Sequence, residues 1–273
     1  MSLTNENATP SNHPTRAESG DRNFDDLKDL FQESIYGSIK GTYRLKMTIQ
    51  DLETELQRHP AQSSLTALDI GGGLGQVTLW LAQKQNFEQV VYYDISNEMK
   101  EHVDEEIRKR GEQHELRTKI TTNVGGLREA IADRSQSGTP PDLVCLHAVL
   151  EWLTNPMEDL DYLLNSMQPN SILSLLYYNT IETSNTRRLR KRARKPSKLT
   201  PYHEFHHSEI EAKLNQCGFE ITSRTGLRVK KFQRNGSEDE LKVYLEEERR
   251  IARVEPYCRQ GRYNHIVAVK RKV

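Results

Sequence analysis

The sequence of 273 residues contains no apolar run of about 18 residues, the length a helix needs to cross a bilayer. Cysteine is scarce: Cys145, Cys217 and Cys258 stand far apart and form no C-x-x-C pair. An odd, scattered set argues against a disulfide framework and reads as reduced thiols packed in the core of a cytoplasmic protein. Residues 1–20 lack the apolar stretch of a secretory signal and read as a disordered tail. Net charge is missing as well, with 39 Lys and Arg against 39 Asp and Glu. No overall field therefore steers a partner, and any electrostatic signal must be local.

What is present is an alternation of strand-like and helix-like segments from Leu65 onward. LTALDI, QVVYYD, RTKITT, PDLVCLH and SILSLLYYN are apolar or β-branched runs, each followed by an amphipathic stretch. Ser96 is placed to cap the helix that begins NEMKEHV, and Pro156 falls at the start of another. Two more strand-like runs, FEITSRTGLRV and YNHIVAVKR, come late. The pattern predicts a doubly wound, seven-stranded, mainly parallel α/β sheet of Rossmann-like type, with its ligand at the carboxyl ends of the strands. Class I methyltransferases complete seven strands with a late strand pair of this kind. The expected organisation is one domain over 21–273: a helical part at 21–62, a cofactor core at 63–180, a basic loop at 181–205, and sheet completion with a substrate region at 206–273.

The loop after the first strand, LDIGGGLGQ, carries Gly71, Gly72, Gly73 and Gly75 behind Asp69. It lacks the Lys-Ser or Lys-Thr of a triphosphate loop. It also lacks the third glycine of the dinucleotide fingerprint, since Gln76 holds that place. An acid followed by alternating glycines resembles instead the first motif of S-adenosylmethionine-dependent methyltransferases. That cofactor has no pyrophosphate, and its ammonium needs an acid or a carbonyl nearby. Asp94, ending the second strand, can accept from both ribose hydroxyls, although NAD sites use an acid at a similar distance. After the fourth strand, where amine-methylating enzymes carry an Asn/Asp-Pro-Pro-aromatic stretch, the chain reads HAVLEW from His147 to Trp152. An exocyclic amine is therefore not the expected acceptor.

Longer blocks, DRNFDDLKDLFQESIYGSIKGTYRL (Asp21 to Leu45), LHAVLEWL, LLYYN, TGLRV and EPYCRQGRYNHI (Glu255 to Ile266), together with the glycine loop, run in order through almost all of the chain after residue 20. In these the chain resembles the CmoM family, the bacterial tRNA 5-carboxymethoxyuridine methyltransferases. The resemblance implies methyl transfer from S-adenosylmethionine to the carboxylate of 5-carboxymethoxyuridine at the tRNA wobble position, giving the methyl ester. It implies cofactor contacts at Arg44, Gly71, Gly72, Asp94, Ile95 and His147, beside the loop residues Asp69 and Gly73. Gly125 and Gly126 stand where the family has Ala-Gln near the adenine, so backbone replaces side-chain contact there. The segment from Ile181 to Phe205 departs from the family.

A carboxylate acceptor is ionised at neutral pH, with an ordinary pKa of about 4. It needs no general base, and the expected equipment is a clamp that holds the acid in line with the methyl group. Candidates in the shared blocks are Tyr36, Lys40, Tyr178, Arg228, Arg259, Arg262 and Tyr263. Too tight an ion pair would stabilise the ground state, so tyrosines with one arginine are expected nearest the acid. RRLRKRARKPSK holds eight cations in twelve residues with no acid. Arg187, Arg188, Arg190, Lys191, Arg192, Arg194 and Lys195 in this run are candidates for a phosphate backbone. The acidic stretch SEDELKVYLEEE is expected to face away from it. His203, His206 and His207 are spaced like metal ligands but lack companions, so no metal is expected. Trp152 and Tyr162 are expected in the core. Two rival readings share the cofactor features: a methyltransferase of small carboxylic acids, and a non-catalytic RNA adaptor that binds S-adenosylmethionine. The enzyme that builds carboxy-S-adenosylmethionine shares the fold, but the EPY…GRY ending does not point to it.

Overall fold

LTALDI carries no alternation of polar and apolar side chains, the mark of a strand covered on both faces. In the computed structural model it forms β1 (Leu65–Ile70), buried throughout. The structure describes residues 20–27, 38–58, 64–110, 114–180, 200–230 and 238–272. β1 is the third strand of a seven-stranded sheet of order β3-β2-β1-β4-β5-β7-β6. β2 (Phe87–Asp94), β3 (Ile120–Val124), β4 (Leu143–His147) and β5 (Ile172–Tyr178) run parallel to it. β7 (Tyr263–Lys270) enters antiparallel between β5 and β6 (Phe219–Leu227).

Eight helices are described: α1 (Ile39–Arg58), α2 (Gln76–Ala82), α3 (Asn97–Lys109), α4 (His114–Lys119), α5 (Leu127–Ser137), α6 (Pro156–Ser166), α7 (His207–Gln216) and α8 (Glu238–Ile251). Ser96 caps α3, its hydroxyl accepting from the Met99 N–H at 3.1 Å. Pro156 occupies the first turn of α6, where its missing N–H leaves no bond unmade.

The two faces of the sheet bury separate cores. Leu68 and Ile70 pack with side chains of α5, α6 and α7, while Leu65 and Ala67 face α1, α2 and α3. Burying a Leu or Ile side chain contributes about 1.5–3 kcal/mol, so these two layers dominate stability. Asp69 alternates onto the α2 face, which decides its partner below. Cys145 and Cys258 are buried and Cys217 half-buried, and all three are free thiols.

Four expectations need correction. Arg117–Lys119, read as the start of β3, closes α4 instead; Leu116 turns inward and pairing begins only at Ile120 opposite Val90. Residues 21–24 lie outside any helix and Asp25–Leu27 is a single 3-10 turn, where a helical region was expected. Tyr162 is 40% exposed and lies under Arg128, since its side of α6 faces solvent. Trp152 is only half-buried, packed edge-on to Phe24 and Tyr202 at the rim of a cavity. Among the described residues, no helix is long and apolar enough to cross a membrane.

Candidate active site

The sheet order reverses between β1 and β4, and chains leaving such neighbours in opposite directions open a crevice. A cavity of about 260 Å³ lies there. Its floor is the glycine loop. Gly71 has φ 65°, and a Cβ on it would come within 2.4 Å of Val149 Cγ2, so only glycine fits. Beneath the loop, Thr78 of α2 donates its hydroxyl to Asp69 Oδ2 at 2.6 Å. Burial pushes the Asp69 carboxyl up to about 6, against the Thr78 hydrogen bond and with help from the charge of Asp94.

Asp94 ends β2 with both oxygens turned back to the chain. Oδ2 accepts from the Gly73 N–H and Oδ1 from the Ser96 N–H, each at 2.9 Å. Each carboxylate oxygen keeps a further lone pair for a ligand hydroxyl. Burial raises this carboxyl to about 6, and the two backbone donors oppose the rise. Gly125 and Gly126 follow β3, with the Gly126 N–H bound to Glu129 Oε2 at 3.0 Å in the first turn of α5. His147 ends β4, its Nε2 2.7 Å from Ser174 Oγ. Burial holds this imidazole well below its ordinary pKa, aided by His265 and Arg44, so it is neutral. Arg44, Asp69, Gly71, Gly72, Gly73, Asp94, Ile95, Gly125, Gly126 and His147 thus all line one cavity.

The far wall comes from the antiparallel pair. Tyr178 and Tyr263 are opposite one another in the β5–β7 register, which brings their ring centroids to 4.5 Å. The Arg44 guanidinium lies over the Tyr263 ring at 4.9 Å. Arg262 lies over Tyr178 at 5.0 Å and donates from Nε to its hydroxyl at 2.6 Å. Burial and the neighbouring Tyr263 push the Tyr178 phenol up to about 12, so it stays a neutral donor. Asn179 fixes the turn before this wall, donating to the Arg259 and Gly261 carbonyls at 2.9 and 2.8 Å.

Of the clamp candidates among the described residues, Tyr178 and Tyr263 line the cavity; Arg262 touches Tyr178 but does not line it, and the others are not brought there. Arg259 is committed to Glu211, at 3.0 Å, and to Glu255. Arg228 sits in the turn after β6, its carbonyl 3.4 Å from the Arg262 N–H, and Lys40 lies in the first turn of α1. Neither lines the cavity. Tyr36 and the basic residues Arg187 to Lys195 lie outside the described residues. The ends of that basic segment are described. The Thr180 N–H donates to Phe205 O at 2.9 Å, and Tyr202 and His203 N–H donate to the Glu151 carbonyl at 3.0 and 3.2 Å, beside the cavity. In the acidic stretch, Glu248 of α8 turns inward and accepts from the Val229 and Lys230 N–H groups. His206 caps α7 and His207 lies near Glu211; no group of three or more metal-ligating side chains was found among the described residues.

Sequence reasoning passed over two parts of the cavity. The first is a strap: Asp21, Arg22 and Phe24 line the cavity, and the Arg22 N–H donates to Trp152 O at 3.1 Å. Asn23 Nδ2 reaches the Ile95 carbonyl at 3.1 Å, and Asp25 takes the Ser96 hydroxyl at 2.5 Å. The second is Glu151, 1% exposed, whose Oε2 has no hydrogen-bond partner. Burial raises its carboxyl to about 7, and Arg44 opposes the rise. Both stood within quoted blocks, but only the folded chain brings them together. Glu151 Oε2, Gln76 Oε1 and Thr48 Oγ1 are buried cavity-lining atoms without partners. Unmet polar groups at a glycine cradle suit a polar ligand with amino, hydroxyl and carboxylate groups, as S-adenosylmethionine has.

A sheet of this order, with an acid-led glycine loop at its switch point and a carboxylate ending β2, defines a class I methyltransferase dependent on S-adenosylmethionine. The Methyltransferase domain family model matches residues 42–224. The tRNA 5-carboxymethoxyuridine methyltransferase of Escherichia coli K12 is 32% identical over 263 residues, covering 92% of this chain and 97% of that protein. The chain belongs to this methyltransferase family. Magnesium protoporphyrin IX methyltransferase from Synechocystis PCC 6803, solved with bound SAH, aligns with TM-score 0.56 at 18% identity, covering 90% of this chain and 96% of that one. The [4+2]-cyclase SpnF aligns at 0.57, also with 18% identity, covering 92% and 95%. A methyltransferase and a cyclase fit equally well, so likeness at this distance speaks for the fold and leaves the reaction to the site.

Proposed function

We propose that the protein transfers a methyl group from S-adenosylmethionine to the carboxylate of 5-carboxymethoxyuridine in tRNA, giving the methyl ester. The observation that carries this reading is the wall of Arg44, Tyr263 and Tyr178 facing the cofactor residues across one cavity, with Arg262 held against Tyr178. Such a wall suits an anionic acceptor that needs holding and no deprotonation. It has the composition expected from the chemistry: two phenols with one arginine lining the cavity, the Arg44 guanidinium softened by the Tyr263 ring it lies on.

The cofactor supplies an electrophilic methyl group on a sulfonium leaving group. Everything else falls to the chain. In this reading Asp94 receives the ribose hydroxyls, Arg44 the methionyl carboxylate, and backbone at Gly71–Gly73 and Gly125–Gly126 lies against the rest. The Tyr178 and Tyr263 hydroxyls hold the acceptor carboxylate in line, and Phe24 and Trp152 keep water from the approach. No proton moves, since the attacking oxygen is already ionised. The basic residues Arg187 to Lys195 belong to the tRNA contact in this reading, because the described ends of their segment flank the cavity. Phosphate contacts would supply affinity and leave selection of the base to the pocket.

The test is incubation with methyl-labelled S-adenosylmethionine and bulk tRNA carrying 5-carboxymethoxyuridine, followed by mass spectrometry of the nucleosides. The expected product is the labelled methyl ester. A protein that binds the cofactor but leaves this uridine unlabelled, and labels a small carboxylic acid instead, would overturn the tRNA assignment.

A further inference from the structure

A chain of buried hydrogen bonds leads away from the cavity at His147 and through the sheet to α1. His147 Nε2 is 2.7 Å from Ser174 Oγ on β5. The same oxygen is 2.8 Å from Nε2 of His265 on β7. His265 Nδ1 is 2.8 Å from Oδ2 of Asp51 on α1. Arg253 closes the series, with Nε 2.8 Å and Nη2 2.7 Å from Asp51 Oδ1. Ser174 and His265 are fully buried and Asp51 is 2% exposed. A polar series of this length in the core costs desolvation at every member, so its retention calls for a reason.

The series has a direction. Asp51 is an anion: burial pushes its carboxyl up, but His265, Arg253 and Thr225 outweigh that and hold it below the ordinary range. An anion only accepts, so His265 must donate from Nδ1. Arg253 already balances the Asp51 charge, so fully buried His265 needs only the Nδ1 proton and offers a lone pair at Nε2, which takes the Ser174 hydroxyl proton. The Ser174 oxygen in turn accepts from His147, which must carry its proton on Nε2. His147 Nδ1 is left as a lone pair at the cavity, and no described hydrogen bond uses it.

We infer that Asp51, His265 and Ser174 are positioning residues that lock His147 in the Nε2–H tautomer, so that Nδ1 presents a hydrogen-bond acceptor to the amino-acid end of the cofactor. This deepens the proposed function and rests on it for the identity of the ligand. Arg44 lies close enough to His147 to influence its titration and is the candidate for the methionyl carboxylate. An acceptor beside that arginine meets the ammonium of the same zwitterion. The opposite tautomer would aim a donor at a cation.

Asp51→Asn tests the direction of the relay. Arg253 has only donors to offer Oδ1, so the amide oxygen must stay on that side and the amide NH₂ must face His265. His265 would then accept at Nδ1 and donate from Nε2, the Ser174 hydroxyl would rotate toward His147, and His147 would become the Nδ1–H tautomer. Imidazole ¹⁵N shifts of the ligand-free wild-type protein report the tautomer directly, without any variant. The expected result is a protonated Nε2 and an unprotonated Nδ1 on His147. The reverse assignment in the wild type would overturn the inference.

Calorimetry with S-adenosylmethionine reads the consequence. Asp51→Asn is expected to weaken binding by about tenfold or more, with a folded far-UV spectrum. Ser174→Ala cuts the relay, so adding Asp51→Asn to it should weaken binding no further. Additive losses in the double variant would mark both residues as packing elements only. If the wild type fails to bind S-adenosylmethionine, the proposed function falls, and the ¹⁵N assignment still decides the relay.

Discussion

At the scale of single residues the cavity departs from what a stable core would choose. Asp69, Asp94 and Glu151 are each buried, and each carboxyl is held above its ordinary pKa. For Asp69 and Asp94 the sign is definite. A folded-state value near 6 against about 4 unfolded favours the folded state in acid. That contribution is lost as pH rises from about 4 to about 6. In the proposed site, ligand hydroxyls donating to Asp94 would favour its ionised form, so cofactor affinity should rise with pH through about 6 and then level off. Calorimetric titrations across that range check this, and a flat profile would separate Asp94 from the ligand. Glu151→Leu removes a buried oxygen without a partner. It should raise the midpoint of thermal unfolding, by about 1 kcal/mol of stability, and weaken cofactor binding in the same protein.

At the scale of elements, the strap at residues 20–27 and α3 share one side chain. Ser96 caps α3 and also donates to Asp25. Ser96→Ala should therefore cost more than an ordinary cap, toward the upper end of about 0.5–2 kcal/mol, in urea or thermal unfolding. It should also loosen the wall formed by Phe24 against Trp152 and weaken cofactor retention. A loss of stability with unchanged cofactor affinity would show that the strap holds without this bond. The elements themselves were largely legible in the sequence: unbroken apolar runs gave the parallel strands, and Ser96 and Pro156 marked two helix starts. The glycine loop was legible because positive φ and close backbone approach at Gly71 demand glycine, and Asp94 because it ends the second apolar run and so comes to the cavity. What could not be read was the register of β5 against β7. That pairing sets Tyr178 opposite Tyr263, and no local pattern encodes it. The strap was illegible for a similar reason, since its partners at Ile95, Ser96 and Trp152 are some seventy or more residues away. Arg117–Lys119 misled because a helix of six residues gives periodicity too little room to show.

At the scale of the molecule, zero net charge conceals separation. Eight cations fall in one stretch of twelve residues, and acids gather in α8. Neutralising Arg187 to Lys195 should weaken tRNA binding and flatten its dependence on salt, because each lost phosphate contact releases fewer counterions. Filter binding at several salt concentrations measures the slope, and cofactor affinity serves as the control that should not change. An unchanged slope would take these residues out of the RNA contact.

The place of β7 also sets an order of assembly. Synthesis delivers β6 before β7, yet β7 must lie between β6 and β5. A nascent chain that has emerged through β5 already holds the glycine loop, Asp94 and His147. It still lacks Tyr263, proposed to face the acceptor, and His265, proposed to orient His147. Pairing across such a sequence separation is slow to form. The residues proposed to meet the methyl donor therefore emerge early from the ribosome. The acceptor side proposed here has Tyr178 from β5 and is completed last by Tyr263, on the strand whose arrival also joins β6 to the sheet.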